Sequence, residues 1–166
     1  MARNIVVCCD GTGNEIGVNM SSVLKLYRML DKNDDQIVYY DPGVGTLGQR
    51  RTWGGFSQKL KGVLGLATGY GLDDDVLGAY RFLAEQYEEG DRVFLFGFSR
   101  GAYSVRVVAG FIHLLGLLRP DQLNYVGYAY AAYKRAARDG EDLSVAWHFR
   151  RIVGGRTVPI RFLGVW

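Results

Sequence analysis

Gly97-Phe98-Ser99-Arg100-Gly101 closes the apolar run Arg92–Phe96 and opens a second apolar stretch, AYSVRVVAGFIHLLGLL. A serine flanked by glycines two residues before and two after it, between a strand and a helix, is the pattern of a nucleophile elbow. The turn is tight enough to strain the serine backbone. Gly97 and Gly101 supply the small residues that such a close approach needs. The elbow would lift the Ser99 hydroxyl above the carboxyl edge of a sheet, with a helix N-terminus behind it favouring a developing anion. The chemistry implied is attack of Ser99 on an acyl carbon, with the backbone N–H of Arg100 as one oxyanion donor. The alternative is a glycine-rich helix start with Ser99 as its cap.

A second oxyanion donor should come from a neighbouring loop. Cys9-Asp10-Gly11-Thr12-Gly13-Asn14 follows a strand and leaves backbone N–H groups free, so the N–H of Gly11 or Thr12 is the candidate. Asp10 would brace that loop by accepting backbone hydrogen bonds, or form a simple Asx turn.

These residues need elements to hold them. Asn4–Cys9 reads as a buried strand, Val23–Lys32 as a helix capped by Ser21 or Ser22, and Ile37–Tyr40 as a second strand. Asp73–Tyr87 is a helix with acids in its first turn, where the helix dipole favours them. Arg92–Phe96 is the third strand, Gly101 to about Leu118 a long helix, and Leu123–Arg138 and Leu143–Val153 two more. Ile160–Val165 is the fourth strand. A short helix is placed in Phe56–Leu64, within the glycine-punctuated stretch 43–72. The alternation predicts an α/β fold, a parallel sheet with helices on both faces. If strands one and three are neighbours, with strand two outside strand one, the connection reverses beside the elbow, where ligands bind in such sheets.

The chain has 166 residues, 48% of them apolar, which suits one domain spanning 1–166. Residues 119–157 form a helical, cap-like insertion in this reading. Net charge is +3, but the 48 residues from 119 onward hold 8 basic and 4 acidic side chains. Tyr125, Tyr128, Tyr130 and Tyr133 with Lys134 and Arg135 suggest either a cap suited to a lipid interface or ordinary packing on the helical layer. Cys8 and Cys9 are adjacent in a strand and point to opposite faces, so a buried thiol pair in a reducing compartment is expected. Nothing reads as a signal peptide or a membrane helix. A cytoplasmic start is the default, with signal-independent export left open.

CDGTGN after the first strand, YYDPGVGT after the second, the run GYGLDDDVLGAYRFLAEQYEEGDRVFLFGFSRGA and the closing RFLGVW together resemble a family of α/β hydrolases long catalogued as a domain of unknown function. That family includes phospholipase effectors of bacterial type VI secretion. The resemblance implies an α/β-hydrolase-like fold, Ser99 as nucleophile of a Ser-Asp-His triad, and a lipid or small ester substrate, with peripheral membrane contact for a phospholipid. It also implies a triad aspartate directly after the strand resembling FLGVW and a histidine much later. Both lie beyond Trp166, so this chain reads as incomplete on its C-terminal side. A partner chain or a further segment would then supply them and cover the edge of the sheet.

Other candidates are weaker. His113 lies 14 residues past Ser99, about 20 Å along a helix, and reads as a core or interface histidine. His148 could fold over the site but reads as a packing residue. Asp41 sits at the correct sheet edge with no histidine to pair with. Gly43–Gly48 matches a dinucleotide-loop spacing without the helix or the acid that such a site needs. Cys8 occupies the position where an aspartate-nucleophile phosphatase has its nucleophile. Asp73-Asp74-Asp75 reads as a charged helix start rather than a calcium site. No cofactor, metal or nucleic acid is expected. Two readings stand: a serine ester hydrolase, or a non-catalytic or split module kept for folding or interaction.

Overall fold

The computed structural model describes residues 2–11, 20–43, 71–139 and 143–166. Thr12, the stretch proposed as a short helix at 56–64 and the rest of the Gly43–Gly48 loop lie outside the described residues.

Four parallel strands form one sheet: β1 (Asn4–Cys9), β2 (Gln36–Asp41), β3 (Arg92–Gly97) and β4 (Ile160–Val165), in the order β2-β1-β3-β4. The β1 run Ile5–Cys9 is fully buried, as expected for a central parallel strand covered on both faces. Ile5, Val7 and Cys9 enter the larger core, whereas Val6 and Cys8 point into the smaller one. The helices among the described residues are α1 (Ser22–Met29), α2 (Leu72–Gln86), α3 (Arg100–Leu115), α4 (Val126–Asp139) and α5 (Ser144–Val153), with a 3-10 turn at Pro120–Tyr125. The fold is α/β, with helices on both sheet faces.

Helix α1 is capped by Ser21, whose side chain accepts the Leu24 N–H at 3.0 Å. It packs Val23 against Val6 and Cys8. On the other face, α2 contributes Val76, Ala79, Tyr80 and Leu83, and α3 contributes Val105, Val108, Phe111 and Ile112. Each such buried apolar side chain contributes about 1.5–3 kcal/mol relative to exposure. Tyr80 stacks on Phe111 at 4.2 Å between ring centres. Its hydroxyl donates to Gly116 O at 2.8 Å and accepts the Leu118 N–H at 3.0 Å. This contact and the positive φ of Gly116 (+77°) end α3 three residues before the apolar run ends.

Tyr130 and Tyr133 pack on Phe111, 5.4 and 5.5 Å away, which is the packing alternative for those two rings. Tyr125 and Tyr128 are exposed. His113 is exposed rather than a core residue, because Phe111 and Ile112 take the buried stripe of α3. No described helix is long and apolar enough to cross a membrane.

The register aligns the carboxyl ends of the strands. Cys9 is level with Asp41 of β2 and with Gly97 of β3, and Gly97 with Val165 of β4. The carboxyl ends of all four strands therefore lie at one edge. The connection reverses between β1 and β3, the switch point where such sheets bind ligands.

Candidate active site

Ser99 stands at that switch point with φ +53° and ψ −117°, and it is the one non-glycine residue with positive φ among the described residues. A strained backbone of this kind costs about 1–3 kcal/mol and persists only where its surroundings hold it. Here they do. A Cβ on Gly97 would overlap Gly101 O and lie 2.5 Å from Ala102 Cα. One on Gly101 would overlap Cys9 O and lie 2.7 Å from Asp10 O. The turn thus closes against its own helix on one side and against the end of β1 on the other. Phe98 N–H donates to Cys9 O at 3.1 Å, and Ser99 N–H to Trp166 O at 2.9 Å.

The N–H of Gly101 donates to Phe98 O and that of Ala102 to Ser99 O, whereas the Arg100 N–H has no backbone acceptor among the described residues. It therefore remains available at the start of α3, where the helix dipole is positive. Gly11 runs alongside: a Cβ there would lie 3.1 Å from Ser99 Cβ. Its own N–H, however, is taken by Asp10 Oδ1 at 2.8 Å. Asp10 is 2% exposed. Its Oδ2 accepts from Ser21 Oγ at 2.5 Å and Tyr40 Oη at 2.8 Å. It joins the loop after β1 to the start of α1 and to β2, more than an Asx turn would require.

The end of β2 adds a second acid. Asp41 Oδ1 accepts the Gly43 N–H at 2.8 Å. Burial raises its pKa, opposed by Gly43, Tyr39 and Arg100. The first turn of α2 adds a third. Asp75 is buried and its Oδ2 lies 3.9 Å from Arg100 Nη2. Burial first, then Asp41, push Asp75 up to about 7, with Arg100 opposing. The Asp75 site is absent from the sequence reading, which took the three consecutive acids as one solvated helix start. A signal was there: Asp75 precedes Ala79 and Leu83 by four and eight residues, on the buried stripe of α2.

The sequence has two histidines, and both are exposed. His113 is on the exposed side of α3. The ring of His148 is 2.7 Å from Ser144 O in its own helix. No described residue joins an imidazole to Ser99 Oγ by a hydrogen bond. Cys8 and Cys9 are buried free thiols, and burial pushes Cys8 up to about 12, so neither is a ready thiolate. Among the described residues no group of three acids, histidines or cysteines could hold a metal ion.

A serine presented in this way, beside a free N–H at a helix start, can attack an acyl carbon and stabilise the resulting oxyanion once a base takes its proton. The chain is 36% identical over 149 residues to the uncharacterized protein YEL023C of Saccharomyces cerevisiae, covering 84% of this chain and 21% of that protein. It therefore spans about a fifth of the relative's length. No solved structure matches. The sequence profile of the T6SS phospholipase effector Tle1-like catalytic domain matches residues 3–166, and the chain belongs to that family.

Proposed function

We propose that this chain is the nucleophile-bearing part of a serine ester hydrolase acting on a lipid ester, with Ser99 as the attacking residue. The observation that carries the reading is the strained Ser99 backbone (φ +53°) between a strand and a helix, locked by glycines that admit no Cβ. Arg100 N–H is the first oxyanion donor; the Gly11 N–H is held by Asp10 Oδ1, which leaves Thr12 N–H as the candidate for the second. Asp10 holds that loop to α1 and β2. The family supports a lipid substrate, and the ester bond is the one that a serine nucleophile with two N–H donors suits.

The acid and base of the triad come from outside these residues. Two observations favour this. Both histidines are exposed, and neither hydrogen-bonds to Ser99. Ser99 N–H also bonds to Trp166 O, so a residue joined after Trp166 would start beside the elbow. The same observations favour a second reading, a split or non-catalytic module, for the chain by itself.

Titration with a fluorophosphonate distinguishes the two. A positioned serine with an oxyanion site but no base retains a small part of its reactivity. Slow labelling localised to Ser99, accelerated by added imidazole as an external base and lost in Ser99→Ala, supports the hydrolase reading. Labelling that imidazole does not accelerate and that is no faster at Ser99 than at other serines of the folded chain supports the non-catalytic one.

A further inference from the structure

The guanidinium of Arg100 is buried next to the proposed nucleophile without a hydrogen bond. Its side chain is 16% exposed, and that of its nearest acid, Asp75, 11%. Nε, Nη1 and Nη2 are each shielded from solvent, with no hydrogen-bond partner among the described residues. A buried cation normally gathers such partners. What surrounds this one instead is charge. Asp75 of α2 stands 3.9 Å away, and Asp41 of β2 lies within electrostatic reach of both. The other titratable groups facing Asp75 are Cys9 of β1, Tyr39 of β2 and Asp74 of its own helix, and none is a cation. Two acids, Asp75 buried and Asp41 half-buried, therefore share one base.

The three residues come from three elements that meet at the carboxyl edge: the end of β2, the start of α2 and the start of α3. Arg100 is also the residue whose free N–H faces the site. Any force on its side chain acts on the peptide between Ser99 and Arg100. We propose that Arg100 is a positioning residue, its guanidinium held between Asp41 and Asp75 as their shared counter-ion so that the elbow peptide and its N–H keep their place. The positioning role rests on Ser99 being the nucleophile, whereas the charge cluster stands without it. All three guanidinium nitrogens are shielded from solvent, so the cation serves the protein and not a bound anion. With one cation for two acids, one carboxyl holds a proton near neutral pH, and Asp75, whose carboxyl accepts no hydrogen bond from a described residue, is the one that keeps it. Asp41, which accepts from Gly43 and Tyr39, stays ionised.

The test follows the side-chain carboxyl carbon-13 shifts of the aspartates across pH in the wild-type chain, Arg100→Lys and Arg100→Met. Amide hydrogen exchange at Ser99, Gly101 and Ala102 is read in the same samples. Asp75 should titrate at about 7 in the wild type, close to that in the lysine variant, and about one pH unit higher in the methionine variant. The elbow amides should exchange about tenfold faster in Arg100→Met and near the wild-type rate in Arg100→Lys. An Asp75 midpoint that Arg100→Met leaves unmoved overturns the cluster. Elbow exchange unchanged while Asp75 shifts overturns the positioning role. If Arg100→Met does not fold, Asp41→Asn carries the test: Asp75 should titrate lower than in the wild type, because the ionised Asp41 is what raises it, and an unmoved Asp75 overturns the cluster. Neither readout needs Ser99 to react, so an unlabelled Ser99 counts against the hydrolase reading alone.

Discussion

At the amino ends of the strands, Arg3 and Asp91 meet in full contact. Asp91 Oδ1 accepts the Arg3 N–H at 2.8 Å, Oδ2 accepts from Arg3 Nη2 at 2.9 Å and Nε at 3.3 Å, and Glu88 N–H adds a fourth donor at 3.1 Å. At the carboxyl ends, Arg100 and Asp75 approach only to 3.9 Å with no hydrogen bond between them. The consequences for the acids are opposite. Burial raises Asp91, but the bonds from Arg3 outweigh it and hold the carboxyl below its ordinary range. Burial and Asp41 outweigh Arg100 at Asp75 and push it up. One pair clamps β1 to β3. The other leaves polar groups under-satisfied beside the residue with the strained backbone, and such groups gather where a protein does chemistry.

The largest effect that would break this contrast lies at the elbow. Gly101→Ala drives a Cβ into Cys9 O, and we expect a loss of about 4 kcal/mol with collapse of the turn. The glycine at the other end, Gly90, has φ +97° but open space around it. Gly90→Ala should cost only about 1 kcal/mol, the penalty of its backbone conformation. Chemical denaturation of both variants checks the ratio. Equal losses would mean that close approach at the elbow is not what its glycines supply.

Asp91→Ala comes next, at about 3 kcal/mol near neutral pH, because it strips buried donors of a charged acceptor. Its sign with pH follows from the lowered carboxyl. That stability is present above the ordinary aspartate range and lost as pH falls through the folded value. The variant should therefore differ least from the wild type in acid, as followed by melting temperature against pH.

Asp75→Asn is the smallest change and the sharpest, since its sign reverses. A raised carboxyl binds its proton more tightly in the folded state, so its contribution declines as pH rises from about 4 to 7. Asparagine removes the charge that has to be buried above that range. We expect Asp75→Asn to be more stable than the wild type at pH 8 by about 1 kcal/mol, and the two to converge in acid. A variant destabilised at pH 8 would make Asp75 an ordinary ion-pair partner like Asp91.

Much of this was legible in the sequence because it is local. The Ile5–Cys9 and Arg92–Phe96 runs announce buried strands, and the glycine spacing around Ser99 announces the elbow. The switch point was legible only on the condition that strands one and three pair, which the order β2-β1-β3-β4 meets. What did not show was set by packing between elements distant in sequence. Asp75 looks like its neighbours Asp73 and Asp74 until β2 and α3 close over it. The end of α3 is hidden in LLGLL, because Tyr80, 36 residues earlier, binds Gly116 O and stops the helix. His113 reads as buried in an apolar run, but the helical period leaves it on the outer face. The occupied N–H of Gly11 depends on where Asp10 turns its carboxylate, which composition does not specify.

The measurement that bears most directly on the central claim is fluorophosphonate labelling of the folded chain with added imidazole, the site of attachment read by mass spectrometry beside Ser99→Ala. Attachment at Ser99 that rises with imidazole and disappears in Ser99→Ala is the predicted result. Attachment spread over several serines, indifferent to imidazole and unchanged in Ser99→Ala, would contradict the claim that this elbow presents a nucleophile.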